Sequence, residues 1–443
     1  MNPEKIITRI APSPTGQMHI GTVRTALFNY IFAKQNKGTY FVRIEDTDRE
    51  RNKEEWVDAI WNDFEWCGLK PDAKYRQSEH IERHKELLQK LVAEDKAYIS
   101  REPKKDDPTE EVEVVRLRNP NTIITFTDLI RGEVSFDTTE HGDFVIARSI
   151  DDPLYHFAVV VDDGDSCVTH VLRAEEHISN TPRQILILEA LGYTRPTYAH
   201  FPLILAPDRT KLSKRKHAAS VEQYRAQGFL PEAMINYLAL LGWNPGGERE
   251  IFSLDELIKL FSFERMHKAG AVFDIEKFRW FNHEYLKLLP MQEFVDRLSL
   301  FMTERGDTTP SYLPQIGVEL RNRAQTFGEA ADYLKGGEFS FMEDTIPAPT
   351  GELLLQGAKA DAAAVKTNLT KVVELLLNHE PFSAESVKEA IFPYATEQGR
   401  ASVLWPMRVA LSGKEKSPDP FTLAGLLGRK KTLERIEKAC SML

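Results

Sequence analysis

Residues 5–33 read KIITRIAPSPTGQMHIGTVRTALFNYIFA, and the order of textures in that stretch sets the fold. KIITRIA at 5–11 is a short apolar run of the kind that forms a buried strand. Pro12, Ser13, Pro14, Thr15 and Gly16 then turn the chain. Beyond the turn, Val23, Ala26, Leu27, Tyr30 and Ile31 recur at helical spacing, which predicts a helix with one apolar face. Gly21 and Thr22 stand where its N-cap belongs. TYFVRI at 39–44 is a second strand, and helices follow over about 53–66 and 78–94. Strand, helix, strand is the opening of a parallel α/β sheet.

From about Ser100 the texture changes. A charged stretch, REPKKDDPTEEVEVV, leads into β-rich runs (NTIITFTDLI, GEVSF, DFVIAR), which read as a small inserted α+β domain. The α/β texture resumes with FAVVVDD at 157–163, VTHVLRAEE at 168–176, a helix carrying TPRQILILEALG, and a strand FPLILA at 201–206. Beyond Val221 the periodicity is helical, broken at GWNPGG (242–247), at Leu289 and Pro290, and around 346–351. The boundaries that follow are 1–98 and 155–220 for the two halves of one α/β domain, 99–154 for the insertion, and 221–290 and 291–443 for helical domains. The last of these breaks into two subdomains near 346–365. No fixed-period repeat or heptad pattern occurs.

At 443 residues the chain has length for about three domains. A formal net charge of −10 excludes a surface that is basic throughout, yet leaves room for a local cationic face. Residues 400–443 supply one, with nine basic side chains against four acidic, Lys430 and Lys431 among them. Cys67, Cys167 and Cys440 are far apart, so neither a disulfide framework nor a cysteine-rich zinc site is expected. The opening MNPEKIITRI has no apolar signal core, and no apolar run approaches the ~20 residues that span a bilayer. The expectation is a cytoplasmic chain with no membrane partner.

Two constellations carry chemistry. APSPTG at 11–16 followed by His19-Ile20-Gly21-Thr22 sets a helix start after a glycine-containing turn, where unpaired N–H groups and the positive end of the dipole suit a nucleotide phosphate. His19 would add a donor. Lys211-Leu212-Ser213-Lys214-Arg215 follows the last strand of the sheet, and two lysines three apart there could neutralise charge developing on a departing pyrophosphate. Taken singly, each is equally an ordinary turn or a basic surface loop.

The pair resembles the HIGH and KMSKS signatures of class I aminoacyl-tRNA synthetases, and the surrounding text resembles the bacterial glutamyl branch. The stretches that carry it are RIAPSPTGQMHIGTVRTALFNYIFA (9–33), FVRIEDTDRER (41–51), YRQSEH (75–80), DLIRGEVSF (128–136), YHFAVVVDD (155–163), THVLRAEEHISNTPRQ (169–184), KLSKRK (211–216) and AGAVFDIEKFRWFNHEYL (269–286). The C-terminus matches more loosely, through GLLGRKKTLERIEKA at 425–439.

The resemblance implies a Rossmann-like parallel-sheet catalytic domain, split by an insertion that places the tRNA acceptor end, then helical stem-contact and anticodon-binding domains. It implies glutamate–tRNA ligation: L-glutamate activated by ATP with Mg²⁺, then transferred to the terminal adenosine of tRNA(Glu); a monomer is the default expectation, with the oligomeric state open. Ser13, Thr15, Gly16, His19, Gly21, Thr22, Lys211, Leu212, Ser213 and Lys214 would hold ATP, with His19, Lys211 and Lys214 catalytic. Arg9, Ala11, Ser13, Glu45, Tyr155 and Arg173 would hold glutamate; Lys430 and Lys431 would face tRNA.

The chemistry of the pocket fits. Glutamate brings two carboxylates and an ammonium, which call for two guanidinium groups and an acid. Arg9 is assigned to the side-chain carboxylate, Arg173 to the α-carboxylate and Glu45 to the ammonium. The rival reading for each is a structural ion pair, because Arg43, Glu45, Asp46 and Asp48 lie close together.

Departures from the family pattern are Thr22 after HIG, in place of glycine or histidine, and Ile99-Ser100-Arg101 where some relatives have a cysteine-containing zinc stretch. No zinc is therefore expected. The C-terminal third is slightly shorter than in many relatives but reads as helical, unlike truncated paralogues without an anticodon domain and unlike glutaminyl relatives with C-terminal β-barrels. Alternatives are a catalytically silent tRNA-binding protein, a small nucleotidyltransferase, or an enzyme that also charges tRNA(Gln).

Overall fold

In the computed structural model, which describes residues 5–47, 51–103, 109–212 and 219–443, the first strand is β1 (Ile7–Ile10). It runs parallel to β2 (Thr39–Ile44), with Ile7 opposite Thr39 and Ile10 opposite Val42. The crossover is α1 (Ile20–Gln35). Its N-cap is His19 rather than Gly21 or Thr22: the His19 ring accepts from the Gly21 amide, and Thr22 lies inside the first turn. Nor is α1 buried on one face only, because Arg24, Phe28 and Asn29 are buried together with Val23, Ala26, Leu27 and Ile31 of the predicted stripe, whereas Tyr30 is partly exposed. A helix laid against a sheet on one side and other helices on another is enclosed from both, which one-face periodicity does not foresee. Gly38 allows the return into the sheet, since a Cβ there would stand 2.3 Å from the carbonyl oxygen of Ile6.

After α2 (Glu54–Trp66), β3 (Ala73–Arg76) adds to β2 in parallel, and α3 (Ile81–Ala93) leads out of the sheet. The charged stretch after Ser100 lies partly in strands among the described residues. Parts of it form β4 (Ala97–Pro103) and β5 (Glu111–Leu117), an antiparallel pair in which Arg101 and Arg116 pair with Glu113 and Glu102 across the strands. Opposite charges face to face across a ladder stabilise it, so charge here accompanies strand structure. Next come the hairpin β6 (Ile123–Asp128) and β7 (Gly132–Asp137), then β8 (Phe144–Ser149) and β9 (Asp152–Pro153).

FAVVVDD lies in a helix, α4 (Tyr155–Asp165); its β-branched run is buried on all sides, and packing overrides strand propensity. Then follow β10 (His170–Ala174), α5 (Thr181–Leu191), β11 (Thr197–Phe201) and the short β12 (Ile204–Leu205). FPLILA is thus broken at Pro202, which cannot donate to a ladder, and the sheet strand is TYAHF before it.

β10 pairs in parallel with β11 and meets β1 through Thr169, whose amide donates to the Ile7 carbonyl at 3.1 Å while its hydroxyl accepts from the Ile7 amide at 2.8 Å. The parallel order is therefore β3, β2, β1, β10, β11, the Rossmann arrangement with its reversal between β1 and β10. The inserted strands divide. β4, β5, β8 and β9 form an antiparallel sheet, whereas β6 and β7 extend the main sheet, β6 lying parallel to β11 with Asp128 opposite Tyr198.

Helices α6 (Val221–Ala226), α7 (Pro231–Leu240) and α8 (Leu254–Leu260) and strand β13 (Ala271–Val272) complete a compact unit, Met1–Tyr285. Helix α9 (Ile275–Leu288) carries the boundary to a second unit, Leu286–Leu443. There α10 (Met291–Glu304), α11 (Leu313–Arg323) and α12 (Phe327–Lys335) enclose Phe294, Leu298, Ile316 and Leu320. After α13 (Gly351–Gln356), the helices α14 (Ala362–Leu376), α15 (Ala384–Gln398), α16 (Arg400–Ser412) and α17 (Pro420–Cys440) pack around Leu369, Val372, Ile391, Met407 and Ile436. Gly428 kinks α17 with φ 75°, a conformation open to glycine. The breaks read at GWNPGG and at Leu289 and Pro290 fall between helices, whereas Gly351, at the end of the break read around 346–351, opens α13. Among the described residues no helix is long and apolar enough to cross a membrane.

Candidate active site

A cavity of about 520 Å³ opens at the C-terminal ends of β1 and β10, where the strand order reverses. β1 and the turn after it contribute Arg9, Ala11 and Ser13, and the start of α1 contributes His19, Gly21 and Thr22. Glu45 enters from the end of β2, Tyr155 from the start of α4, Arg173 from β10, and Lys211 and Leu212 from the segment after β12. Residues far apart in the chain thus share one chamber with apolar walls that include Ile10, Leu172 and Ile204. Thr15 and Gly16 do not line it. The turn carries them away from the cavity, with Thr15 N–H donating to Ser13 O at 2.9 Å and Gly16 at φ 151°.

Ser213 and Lys214 lie outside the described residues; the flanks of their segment do not. Leu212 N–H donates to Ile204 O at 3.0 Å on one side. On the other, Ile20 N–H donates to Ala219 O at 2.9 Å and Val221 N–H to Met18 O at 3.1 Å. The described chain thus reaches the cavity wall at Leu212 and is again beside the cap of α1 at Ala219.

That cap has a defined polarity. His19 Nδ1 accepts from Gly21 N–H at 2.9 Å, which makes Nδ1 the unprotonated nitrogen and Nε2 the donor in the neutral ring. Gly21 leaves room for the ring, since a Cβ there would stand 3.0 Å from His19 Nδ1.

The charges are arranged non-locally. Arg9 reaches Asp163 with Nε at 3.1 Å from Oδ1 and Nη2 at 3.0 Å from Oδ2. Arg43 approaches the same carboxylate with Nη1 at 2.7 Å and also meets Glu45 at 3.3 Å and Asp162 at 3.6 Å. Asp162 accepts in addition from Gln77 and faces His84, each at 2.7 Å. Burial pushes the Asp163 carboxyl up, but the two guanidinium groups outweigh it and hold the carboxyl below its ordinary value. Burial raises Glu45 above its ordinary value against the pull of Arg43 and Arg9. Arg43 was named from sequence only as a structural ion-pair partner of Glu45, which it is; Asp162 and Asp163 were not singled out, and the adjacent acids closing the apolar run FAVVVDD were the available signal.

Arg173 differs. It is 6% exposed, and its hydrogen bonds go to Gln184 Oε1 (2.7 Å), Thr181 Oγ1 (2.9 Å), His200 Nε2 (3.2 Å) and the His177 carbonyl (3.4 Å), all neutral acceptors. Among the described residues no carboxylate comes within ion-pair distance of it. Burial lowers its guanidinium from the usual value. A buried cation at a cavity wall, held only by dipoles, suits an anion supplied from outside. Beside it, His177 is lowered to about 4 by burial and by Arg173, so the ring is neutral near pH 7. Lys211 is paired with Glu176.

Far along the chain, the basic residues near 430 are partly committed. Lys431 Nζ lies 2.7 Å from Asp344 Oδ1, and Arg435 donates to the carbonyls of Phe341 (2.6 Å) and Leu411 (2.7 Å). Lys430 is exposed.

With this geometry in view, known proteins of the same construction can be set beside it. Residues 5–106 and 99–280 match the family of tRNA synthetases class I (E and Q), catalytic domain, and 290–440 match an anticodon binding domain. The glutamate–tRNA ligase of Geobacter sulfurreducens is 39% identical over 476 residues, covering 98% of each chain. That of Heliobacterium modesticaldum is 37% identical, covering 99% of this chain and 97% of the relative. A solved structure, a glutamate tRNA ligase from Elizabethkingia meningosepticum in complex with its amino acid, superposes with a TM-score of 0.83 at 31% identity, covering 99% of this chain and 100% of that one. Matched along nearly its whole length, this chain belongs to the class I tRNA synthetases of the E and Q group.

Proposed function

We propose that this chain is a glutamate–tRNA ligase, which activates L-glutamate with ATP and esterifies it to the terminal adenosine of tRNA(Glu). The observation that carries the choice of amino acid is that Arg9 and Glu45 share one cavity with Arg173, a buried guanidinium held only by neutral acceptors. It takes the α-carboxylate. Arg9, already gripped by Asp163, presents its remaining edge to the side-chain carboxylate, and Glu45 accepts the ammonium.

ATP lies along the start of α1. The positive end of the α1 dipole and the His19 Nε2 donor face its phosphates, and Lys211, with Lys214, neutralises the departing pyrophosphate. The glutamate carboxylate attacks the α-phosphorus and pyrophosphate leaves; a ribose hydroxyl then attacks the activated carbonyl and releases AMP. No side chain forms a covalent bond, and rate enhancement comes from positioning and fixed charge. Mg²⁺ would accompany the nucleotide and share its phosphate charge with the lysines. Residues 99–154 guide the acceptor end, 221–290 the stem and 291–443 the anticodon, with Lys430 and Lys431 near phosphate. The enzyme acts as a cytoplasmic monomer.

The test is ATP–pyrophosphate exchange with glutamate and with glutamine, each with and without tRNA, followed by charging of tRNA(Glu) and tRNA(Gln) transcripts. Glutamate-dependent exchange and a charged tRNA(Glu) are expected. Exchange with glutamine and none with glutamate would overturn the substrate.

A further inference from the structure

Behind Arg173 lies a second layer that the pocket chemistry does not use. His200 sits on β11, fully buried, with Nδ1 at 2.6 Å from Asp128 Oδ2 and Nε2 at 3.2 Å from Arg173 Nε. Asp128 is the last residue of β6 in the inserted hairpin, and it too is buried. Its other oxygen, Oδ1, accepts from the backbone amides of Ile130 at 2.9 Å and Arg131 at 2.8 Å.

The proton inventory of this chain of contacts is determined. Arginine Nε–H can only donate, so His200 Nε2 must be a bare acceptor. The ring proton then sits on Nδ1 and is donated to Asp128. Burial keeps the imidazole below its ordinary value despite the neighbouring carboxylate, so the neutral ring is the form present. We propose that Asp128, acting through His200, is a positioning residue for Arg173: it holds the His200 proton on Nδ1 and thereby keeps Nε2 available to aim the guanidinium at the substrate carboxylate. A hairpin of the insertion thus sets the orientation of a side chain in the amino-acid pocket.

The substitution Asp128→Asn separates this from simple packing. Its Oδ1 stays with the two backbone amides, which turns the amide NH₂ toward His200. A donor facing Nδ1 forces the proton to Nε2, where Thr181 Oγ1 at 3.2 Å can accept it, and Arg173 Nε–H loses its acceptor. The logic is that of a carboxylate selecting a histidine tautomer, as in hydrolase triads.

The inference rests on the ligase reading only for the identity of the anion at Arg173. In ¹⁵N-histidine-labelled full-length protein, long-range ¹H–¹⁵N spectra report the His200 tautomer, assigned by the signal lost in His200→Gln. Nδ1–H is expected in the wild type and Nε2–H in Asp128→Asn. In exchange assays the variant should raise the glutamate KM by about 10- to 100-fold, the cost of a misdirected buried donor, and the ATP KM by less than about 3-fold. A wild-type His200 protonated on Nε2 overturns the proposal even if no variant folds. So does an Asp128→Asn enzyme with an unchanged glutamate KM, or one whose ATP KM rises as much. A wild type without glutamate-dependent exchange would remove the ligase reading instead, and the tautomer would still decide the positioning claim.

Discussion

Arg9 and Asp163 meet as a two-pronged ion pair, guanidinium Nε and Nη2 at 3.1 and 3.0 Å from the carboxylate oxygens, although 154 residues separate them in the chain. The pair fixes Arg9 before any ligand is bound, so less orientation has to be achieved on binding. Removing the acid leaves both Arg9 and Arg43 buried without their shared partner. Asp163→Ala should therefore lose about 3–5 kcal/mol of folding stability, measured by urea unfolding, and Asp163→Asn less. An alanine variant with the wild-type urea midpoint would mean that the arginines find other anions.

Stability should fall in acid in two stages. His156 and His177 are each lowered to about 4, by burial first and then by Arg183 and Arg173 respectively, whereas unfolded they return toward 6.5. The unfolded chain therefore takes protons first, and stability present above about 6.5 declines as the pH drops toward 4. Asp163, held below its ordinary value, adds a loss only at still lower pH. Melting temperatures at pH 7, 5.5 and 4.5 should fall more steeply for wild type than for His177→Gln; equal slopes would show that this ring does not contribute.

Lys211 is tied to Glu176, and a triphosphate has to compete for it. Lys211→Ala should slow pyrophosphate exchange by about 10- to 1,000-fold through lost transition-state charge, with tRNA affinity unchanged. Glu176→Gln frees the lysine and should lower the ATP KM. A rise in that KM would show instead that Glu176 positions the lysine productively.

The two lysines near the C-terminus should behave differently. Lys430 is exposed, whereas Lys431 is engaged by Asp344. In filter binding, Lys430→Ala should weaken tRNA affinity and reduce its salt slope by about 1, while Lys431→Ala should change either much less. Equal effects would place both on the phosphate backbone.

Much of the fold was legible because local rules and tertiary context agreed. TYFVRI is a strand from Thr39 to Ile44 as read, and the breaks at GWNPGG and Pro290 end helices where glycine and proline must. FAVVVDD and FPLILA were harder. The first has strand composition but is enclosed as a helix, and the second loses its ladder at Pro202. The hairpin that begins in NTIITFTDLI was legible as strands, but its attachment to β11 rests on a pairing between Asp128 and Tyr198 that no local pattern encodes. In the site, Arg9, His19, Glu45 and Arg173 were visible through their motifs, whereas Asp163 and His200, whose contacts orient two of those arginines, were not.

By itself the sequence determined the alternation of strand and helix, a helix start within two or three residues of the observed cap at His19, and the charged side chains an amino-acid pocket would need. Local backbone preference and motif spacing are enough for that. Only the tertiary structure decided which arginine is already neutralised and which remains open to an anion. Arg9 is neutralised by Asp163, while Arg173 is left with dipoles alone. Electrostatic balance depends on distances in space between residues remote in the chain, and folding sets those distances.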